Sequence, residues 1–513
     1  MEITESKARI LSEDFILNAL KCIDLKKYNS ALRYLTSAAG LLYDFEWCYQ
    51  DKKIENAILN LSDSVIRKEF FEVCDRYIFF DSFTHDYKAL TLQYLKALIS
   101  NDCEFLYISR IPLNAQRNLI ISEMISGYLG GSYRQIATSG IDASKEIYSI
   151  CKEYSANKVI MQLMPDDITA MIAFAALPPS ITRYQVNLTD HAFWAGICIS
   201  DYVLEFRDYG CSLSQKYREI DPTKELLLPF YPFINVEVKF LGLPFYTEDK
   251  IFIFSGGAIH KIMDSNLTFL NVIARMLKKR KNTVFAYAGT GGDAPKLINF
   301  FKGEGLEDRF YYLGHRGDIN EIVKRCDIYI NTYPMGGGLM CQYAAINSKP
   351  IASLTDTSGR NIESIVCQRR NLEFSCKTIQ DFESAIDKLI VSSELRLSLG
   401  KKLYDCVMVD SIFNDLFIKT LTSNKSQLAI KIQSKEIPPC FGIMMASQEV
   451  ATWRMIKSLG GLSIICHPIL TIRVVVEHLL QSIKRKIKQL IYDENKSKGY
   501  CNIPTSVPSN SRE

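Results

Sequence analysis

The chain has 513 residues, 47% of them hydrophobic and 23% charged, with a formal net charge of +4. That length supports two to four domains with substantial cores, and so thin a positive balance makes no case for nucleic acid as a partner. Fifteen cysteines, scattered and without a C-x-x-C pair or zinc-like spacing, fit free thiols in a reducing compartment rather than a disulfide framework. The first residues lack the basic and apolar regions of a signal peptide, and the apolar stretch 461–480 carries His467, Pro468, Arg473 and Glu477, which makes it a poor membrane span. The expected location is cytoplasmic, with peripheral attachment to the inner face of the membrane as an option.

In chain order, residues 12–76 show apolar positions at helical spacing (Phe15, Ile16, Ala19, Leu20, Ile23) and predict a helical N-terminal cap over 1–74. One hairpin there resembles a tetratricopeptide unit, but no second copy follows at a fixed period. From Tyr77 the pattern changes to short apolar runs alternating with helices. Strands are predicted at 77–81, 103–108, 158–163, 183–188, 202–206 and 226–230. A Pro-rich joint, 229–244, leads to a second series at 251–254, 283–288 and 310–313, then a strand opening at Tyr329, and 349–354. Continuous apolar strands separated by helices imply parallel sheets covered on both faces. The expected fold is therefore α/β, two tandem Rossmann-like domains at 75–245 and 246–395. A helical extension, 396–513, follows them. In such sheets ligands bind beyond the carboxyl ends of the strands.

The stretch from Tyr329 to Tyr343 reads as strand, Pro/Gly turn and helix. Gly336, Gly337 and Gly338 leave backbone N–H groups uncovered at the helix start, which suits an anion; by itself the stretch is equally compatible with a plain turn. Upstream, Gly256 and Gly257 end a strand and are followed by His260 and Lys261, an arrangement suited to a diphosphate. A solvated surface lysine is the plain alternative. Gly289–Gly292 is followed by no Lys-Ser or Lys-Thr pair, so it is not a P-loop, and is expected to let a base or ribose approach the backbone. His315 and Arg316 follow a strand where a nucleobase could be stacked or hydrogen-bonded, and Gln342 is one turn into the glycine-started helix, within reach of a ribose. In the first domain His191 ends a strand and is a candidate general base toward an acceptor, or a donor to the sugar or phosphate. Asp190 is its neighbour, but adjacent residues of an extended strand point apart, so no Asp–His dyad is implied. Residues 205–209 are expected to hold a structural ion pair.

Taken together, the His191 strand end, Gly256–Lys261, Gly289–Gly292, Tyr312–Arg316, Cys326–Thr332 and the Gly336–Gly338 helix start resemble glycosyltransferases of the GT-B type over residues 75–395. Ile259–Ile262 and Leu313–Arg316 suggest similarity to the O-linked N-acetylglucosamine transferases and the bacterial cytoplasmic N-glycosyltransferases. The resemblance implies a nucleotide-sugar donor, UDP-linked by expectation, with Lys261 on the diphosphate and the glycines at the phosphates. It implies hexosyl or N-acetylhexosaminyl transfer without a metal, to a glycan, lipid-linked glycan or protein acceptor in bacterial surface polysaccharide or glycoprotein synthesis. Gln342 departs from the glutamate or aspartate carried near that position by related enzymes, so the anomeric outcome stays open. The cationic stretch 469–491 is expected to pack on the protein, or to contact a membrane or partner protein. A non-catalytic GT-B-like subunit of another transferase is the alternative function.

Overall fold

The computed structural model describes residues 3–86, 90–235, 238–355, 362–367, 372–432 and 448–466, with scattered positions up to 483. The chain divides into two compact units, Met1–Phe45 with Met444–Glu513, and Glu46–Ile443.

The smaller unit is helical. Helices Glu5–Asp24 and Tyr28–Phe45 form an antiparallel hairpin, and Gln448–Leu459 packs on the second of them. Thr4 caps the first helix through the Lys7 amide. Phe15, Leu35, Ala39 and Leu42 from the hairpin are buried, as are Ala451, Met455 and Leu459 from the third helix. Arg454 crosses to the buried carboxylate of Asp44 at 2.5 Å.

The larger unit begins with helix Lys52–Val65 and carries two parallel sheets. The first contains β1 (Cys74–Asp81), β2 (Phe105–Ser109), β3 (Gly131–Gln135), β4 (Ala156–Gln162), β5 (Thr182–Val186), β6 (Tyr202–Glu205) and β7 (Glu225–Leu227), in the order β3-β2-β1-β4-β5-β6-β7. The second contains β8 (Ile251–Gly256), β9 (Thr283–Ala288), β10 (Phe310–Gly314), β11 (Ile328–Ile330), β12 (Ile351–Leu354) and β13 (Ser375–Cys376), in the order β10-β9-β8-β11-β12-β13. Both are doubly wound sheets of Rossmann order, as expected, and each reverses direction once, between β1 and β4 and between β8 and β11. The apolar runs are continuous because each sheet is covered twice. In β8 and β9, Ile253 and Phe285 pack into one helical layer while Phe252, Phe254 and Val284 pack into the other.

Two strands lack a sequence signal. Gly131–Gln135 is an edge strand, half-exposed to exposed along its length, and Ser375–Cys376 is two residues long. Neither buries enough side chain to require an apolar run. Beyond the second sheet, helix Ser393–Cys406 is followed by a separate helix, Asp410–Ser423, whose Phe413, Phe417 and Leu421 join the core of the first sheet beside Tyr94, Leu95 and Tyr231. Tyr184 donates to the Leu421 carbonyl at 3.0 Å and Lys96 binds Asp410 at 2.5 Å. Residues 410–432, which carry no clear pattern in sequence, therefore run back onto the first domain.

Candidate functional site

β8 ends on Gly256, and Gly257 follows with φ +146°, a conformation that an L side chain rarely adopts. Its amide donates to the Ala288 carbonyl at 2.9 Å. A Cβ on Gly289 would lie 1.8 Å from the Gly257 carbonyl oxygen, so the glycine after β9 is required by backbone packing against the turn after β8. The turn leads into a short 3-10 helix, Ile259–Ile262, which exposes His260 and carries Lys261.

β11 ends at the switch point beside this turn. Asn331 is buried; its amide donates to Ser353 Oγ at 3.0 Å and its carbonyl oxygen accepts the Gly337 amide at 2.9 Å. Thr332 donates to the Met335 carbonyl at 2.6 Å, and the Met335 amide donates to the Lys261 carbonyl at 3.3 Å. These bonds fold the Pro/Gly segment back toward Lys261 and deliver it to helix Gly338–Ile346. Asn331 satisfies one orphan amide; among the described residues those of Gly336, Gly338 and Leu339 have no partner. Asn331 and Thr332 close the Cys326–Thr332 stretch singled out in the sequence, but their hydrogen bonds, and the part played by Ser353, show only in the structure.

Lys261 is largely buried. Among the described residues its ammonium has neither an ion pair nor a hydrogen bond. Burial lowers its pKa, against an opposing influence from Cys341. A Cβ on Gly257 would touch Lys261 Cδ at 3.7 Å and Thr332 Cγ2 at 3.9 Å, which puts the side chain against both turns. A desolvated cation beside uncapped helix amides is a site shaped for a polyanion. His260 next to it also has a lowered pKa, first from burial and then from the Lys261 charge.

A cavity of about 240 Å³ lies alongside, lined by Leu92, Gln93, Phe233, His315, Leu339 and Met340 among others. Residues after strands of both sheets contribute, so the carboxyl ends of the two sheets open onto one cleft. Lys261 does not line the cavity; Met340 links the two, since a Cβ on Gly256 would lie 3.1 Å from Met340 Cε.

Two expected ligands also make contacts within the protein. Arg316 makes a two-pronged ion pair with buried Asp318, both contacts 2.7 Å, and donates to the Gly242 carbonyl at 2.9 Å. Asp318 also accepts the Leu241 amide at 2.8 Å. Gln342 is fully buried and donates to the Phe230 carbonyl at 2.8 Å and the Ile365 carbonyl at 3.3 Å. Both side chains hold the joint between the sheets; the Gln342 amide is closed off by burial, whereas Arg316, with Nε and one terminal nitrogen engaged, still lines the cavity beside His315. His315 is exposed and lines the cavity.

His191 follows β5 on a turn rather than on an extended strand, and this corrects the expected geometry: Asp190 and His191 do meet, with Asp190 Oδ1 3.2 Å from His191 Nδ1. Asp190 is fully buried and takes the Arg207 guanidinium on both oxygens, NH2 to Oδ1 at 2.8 Å. Burial alone would raise the Asp190 carboxyl, but Arg207 more than offsets this and holds it well below the usual carboxylate range. The ion pair expected within 205–209 is thus Arg207 with Asp190. Glu205 and Glu225 lie nearby without such pairing, and burial pushes them up to about 7 and about 8.

Among the described residues no group of three or more His, Cys, Asp and Glu could hold a metal ion. Nor is any helix among them long and apolar enough to cross a membrane.

No protein-family model and no curated protein matches the sequence. Solved structures do match. A mutant of Thermobaculum terrenum O-GlcNAc transferase aligns over 81% of this chain and 86% of its own with TM-score 0.51 and 11% identity. Anabaena HepE in complex with UDP and glucose aligns over 68% of this chain and all of its own, with TM-score 0.51 and 11% identity. A Rickettsia africae glycosyltransferase gives TM-score 0.52 at 12% identity over 69% of this chain and all of its own. At these identities the likeness establishes the fold: two Rossmann-like sheets in the GT-B arrangement.

Proposed function

We propose that the protein is a glycosyltransferase that uses a nucleotide-diphosphate sugar. The observation that carries this reading is Lys261, a mostly buried ammonium without an anionic partner among the described residues, set beside the unpartnered amides of Gly336, Gly338 and Leu339. Leaving a cation desolvated and unpaired is costly unless a ligand supplies the charge. A departing diphosphate does so, and its charge grows as the glycosidic bond to it breaks, so the contacts strengthen toward the transition state. The cavity beside His315 is assigned to the nucleoside, and His191 to the acceptor as general base. UDP is the favoured nucleotide because HepE has been captured with UDP-glucose on the same fold. The reading includes hexosyl or N-acetylhexosaminyl transfer to a glycan, lipid-linked glycan or protein, in surface polysaccharide or glycoprotein synthesis. Transfer that survives EDTA is the outcome expected of a metal-independent enzyme.

The test is a thermal-shift screen of UDP-, GDP-, ADP- and dTDP-sugars on the native protein and on Lys261→Met. A donor at ~100 times its dissociation constant should add about 2.7 kcal/mol to the native protein and nothing to the variant. An equal response of both would remove Lys261 from the site. A second reading, a GT-B-like subunit without activity, is favoured by the burial of Gln342 and its engagement with the joint. Tight nucleotide binding with neither transfer nor donor hydrolysis would establish it.

We also assign the C-terminal segment a peripheral contact with an anionic membrane surface. Ile469, Ile472, Val476, Leu479, Leu480 and Ile483 recur at helical spacing and are exposed, and the sequence follows them with Lys484, Arg485, Lys486 and Lys488. Those four cations lie outside the described residues.

A further inference from the structure

The turn that carries His191 is supported far more heavily than a surface loop needs. Arg218 is fully buried, and a single terminal nitrogen of its guanidinium donates to the carbonyls of Asp190 at 2.8 Å and Ala192 at 2.6 Å, on either side of the histidine. The same guanidinium lies over the rings of Tyr49 and Trp194, 5.0 and 5.3 Å from their centroids. Arg207 holds the Asp190 side chain from below and stacks on Tyr209 at 4.6 Å. Two buried arginines and a buried carboxylate are expensive to desolvate, and apolar packing would secure a simple turn with less penalty. The arrangement does one thing apolar packing cannot. It presents an ionised oxygen to one chosen nitrogen of the imidazole.

We propose that Asp190 is a positioning residue for His191, holding its ring in the Nδ1–H tautomer so that Nε2 is the nitrogen left to take a proton from the acceptor. The inference rests on the acceptor-side role given to His191 above. Asp190 Oδ1 lies 3.2 Å from Nδ1, and an ionised carboxylate can only accept, so the ring proton belongs on Nδ1 and the lone pair on Nε2. Because Arg207 already neutralises Asp190, the carboxylate orients the ring more than it charges it, and Arg218 keeps the turn from rotating. In the transfer step the acceptor oxygen bonds to the anomeric carbon and the carbon–oxygen bond to the diphosphate breaks. The diphosphate leaves with the bonding pair, and the acceptor proton ends on Nε2.

The test is two-bond ¹H–¹⁵N spectroscopy of the full chain with ¹⁵N-labelled histidine, above the pH at which the ring is neutral. The His191→Gln spectrum identifies the His191 signals among six histidines. The expected result is a pyrrole-type Nδ1 and a pyridine-type Nε2; the Nε2–H form would overturn the proposal. Asp190→Asn, if it folds, should shift the ring toward Nε2–H and lower kcat at least tenfold with donor KM unchanged. An unchanged tautomer in that variant would also overturn it. If Asp190→Asn fails to fold, the native spectrum decides alone. No substrate enters the spectral measurement, so a chain that shows the expected tautomer but binds no nucleotide-sugar would defeat the functional reading and not this one. Full transfer activity in His191→Gln with the native tautomer as expected would instead sever the tautomer from the chemistry and sink the proposal.

Discussion

At the scale of single residues, the cleft holds charges that are costly in the unliganded protein. Lys261 is the clearest case. Its folded pKa lies below its ordinary value because burial disfavours the ammonium, so the folded state holds this proton less tightly than the unfolded chain. The penalty is present at neutral pH and fades as pH rises through the folded pKa toward the unfolded one. Lys261→Met should therefore match or exceed the native melting temperature without ligand, while losing on the order of 10²–10³ in turnover; a calorimetric scan and a transfer assay check both halves. Glu205 and Glu225 have the opposite sign. Raised to about 7 and about 8 by burial, they keep protons that the unfolded chain releases near 4.5, so stability is full below that value and declines up to about pH 8. Each such proton contributes a slope of up to about 1.4 kcal/mol per pH unit. Glu225→Gln should flatten the decline, as read by denaturant midpoints at pH 5, 6, 7 and 8.

At the scale of elements, the turns after β8 and β11 are built to lie close together. Gly289→Ala would force a Cβ into the Gly257 carbonyl, and backbone cannot step aside as a side chain can. The expected loss is about 3 kcal/mol or more, together with weakened nucleotide binding. Asn331→Ala removes the cap on Gly337 and the bond to Ser353, for an expected 1–3 kcal/mol by roughly the usual loss of buried hydrogen bonds. Equilibrium unfolding distinguishes the two. Helix Asp410–Ser423 is a third element with a checkable role. Phe413→Ala or Phe417→Ala empties a fully buried site in the first sheet's core and should cost about 3–5 kcal/mol, although both residues come from far along the chain to meet the Tyr94 ring edge-on.

At the scale of the larger unit, the joint between the sheets is strapped to the second sheet by Gln342, Tyr343, Arg316 and Asp318. Tyr343 donates to the Phe233 carbonyl at 2.6 Å, one turn along the same helix whose start is assigned to the phosphates. Arg316→Ala tests whether this residue serves the joint or the nucleotide. Service to the joint predicts a loss of about 3 kcal/mol in stability, as for an interrupted buried pair, with donor affinity unchanged. A drop in affinity at native stability would return Arg316 to the nucleotide. The smaller unit bears the C-terminal segment, and removal of residues 467–513 should abolish co-sedimentation with phosphatidylglycerol vesicles while phosphatidylcholine vesicles bind neither form.

The pattern of apolar runs determined two doubly wound parallel sheets in tandem, because a strand covered on both faces must be apolar throughout, and that requirement is local. The same reasoning could not see Gly131–Gln135 or Ser375–Cys376, which bury too little to leave a signal. Glycines followed by Lys261, and glycines opening a helix, marked the two halves of an anion site, since turn geometry and a helix start are also local. Only the tertiary structure decided which side chains are free to use. Gln342 has the right chemistry for a nucleotide but is buried and engaged by the distant Phe230 carbonyl, and Lys261 stands alone because no carboxylate among the described residues folds against it. Asp190 and His191 meet because their strand ends in a turn, which alternation along an extended chain cannot reveal. Partnership depends on what the fold brings across from elsewhere, and it is partnership that separates a structural charge from a functional one.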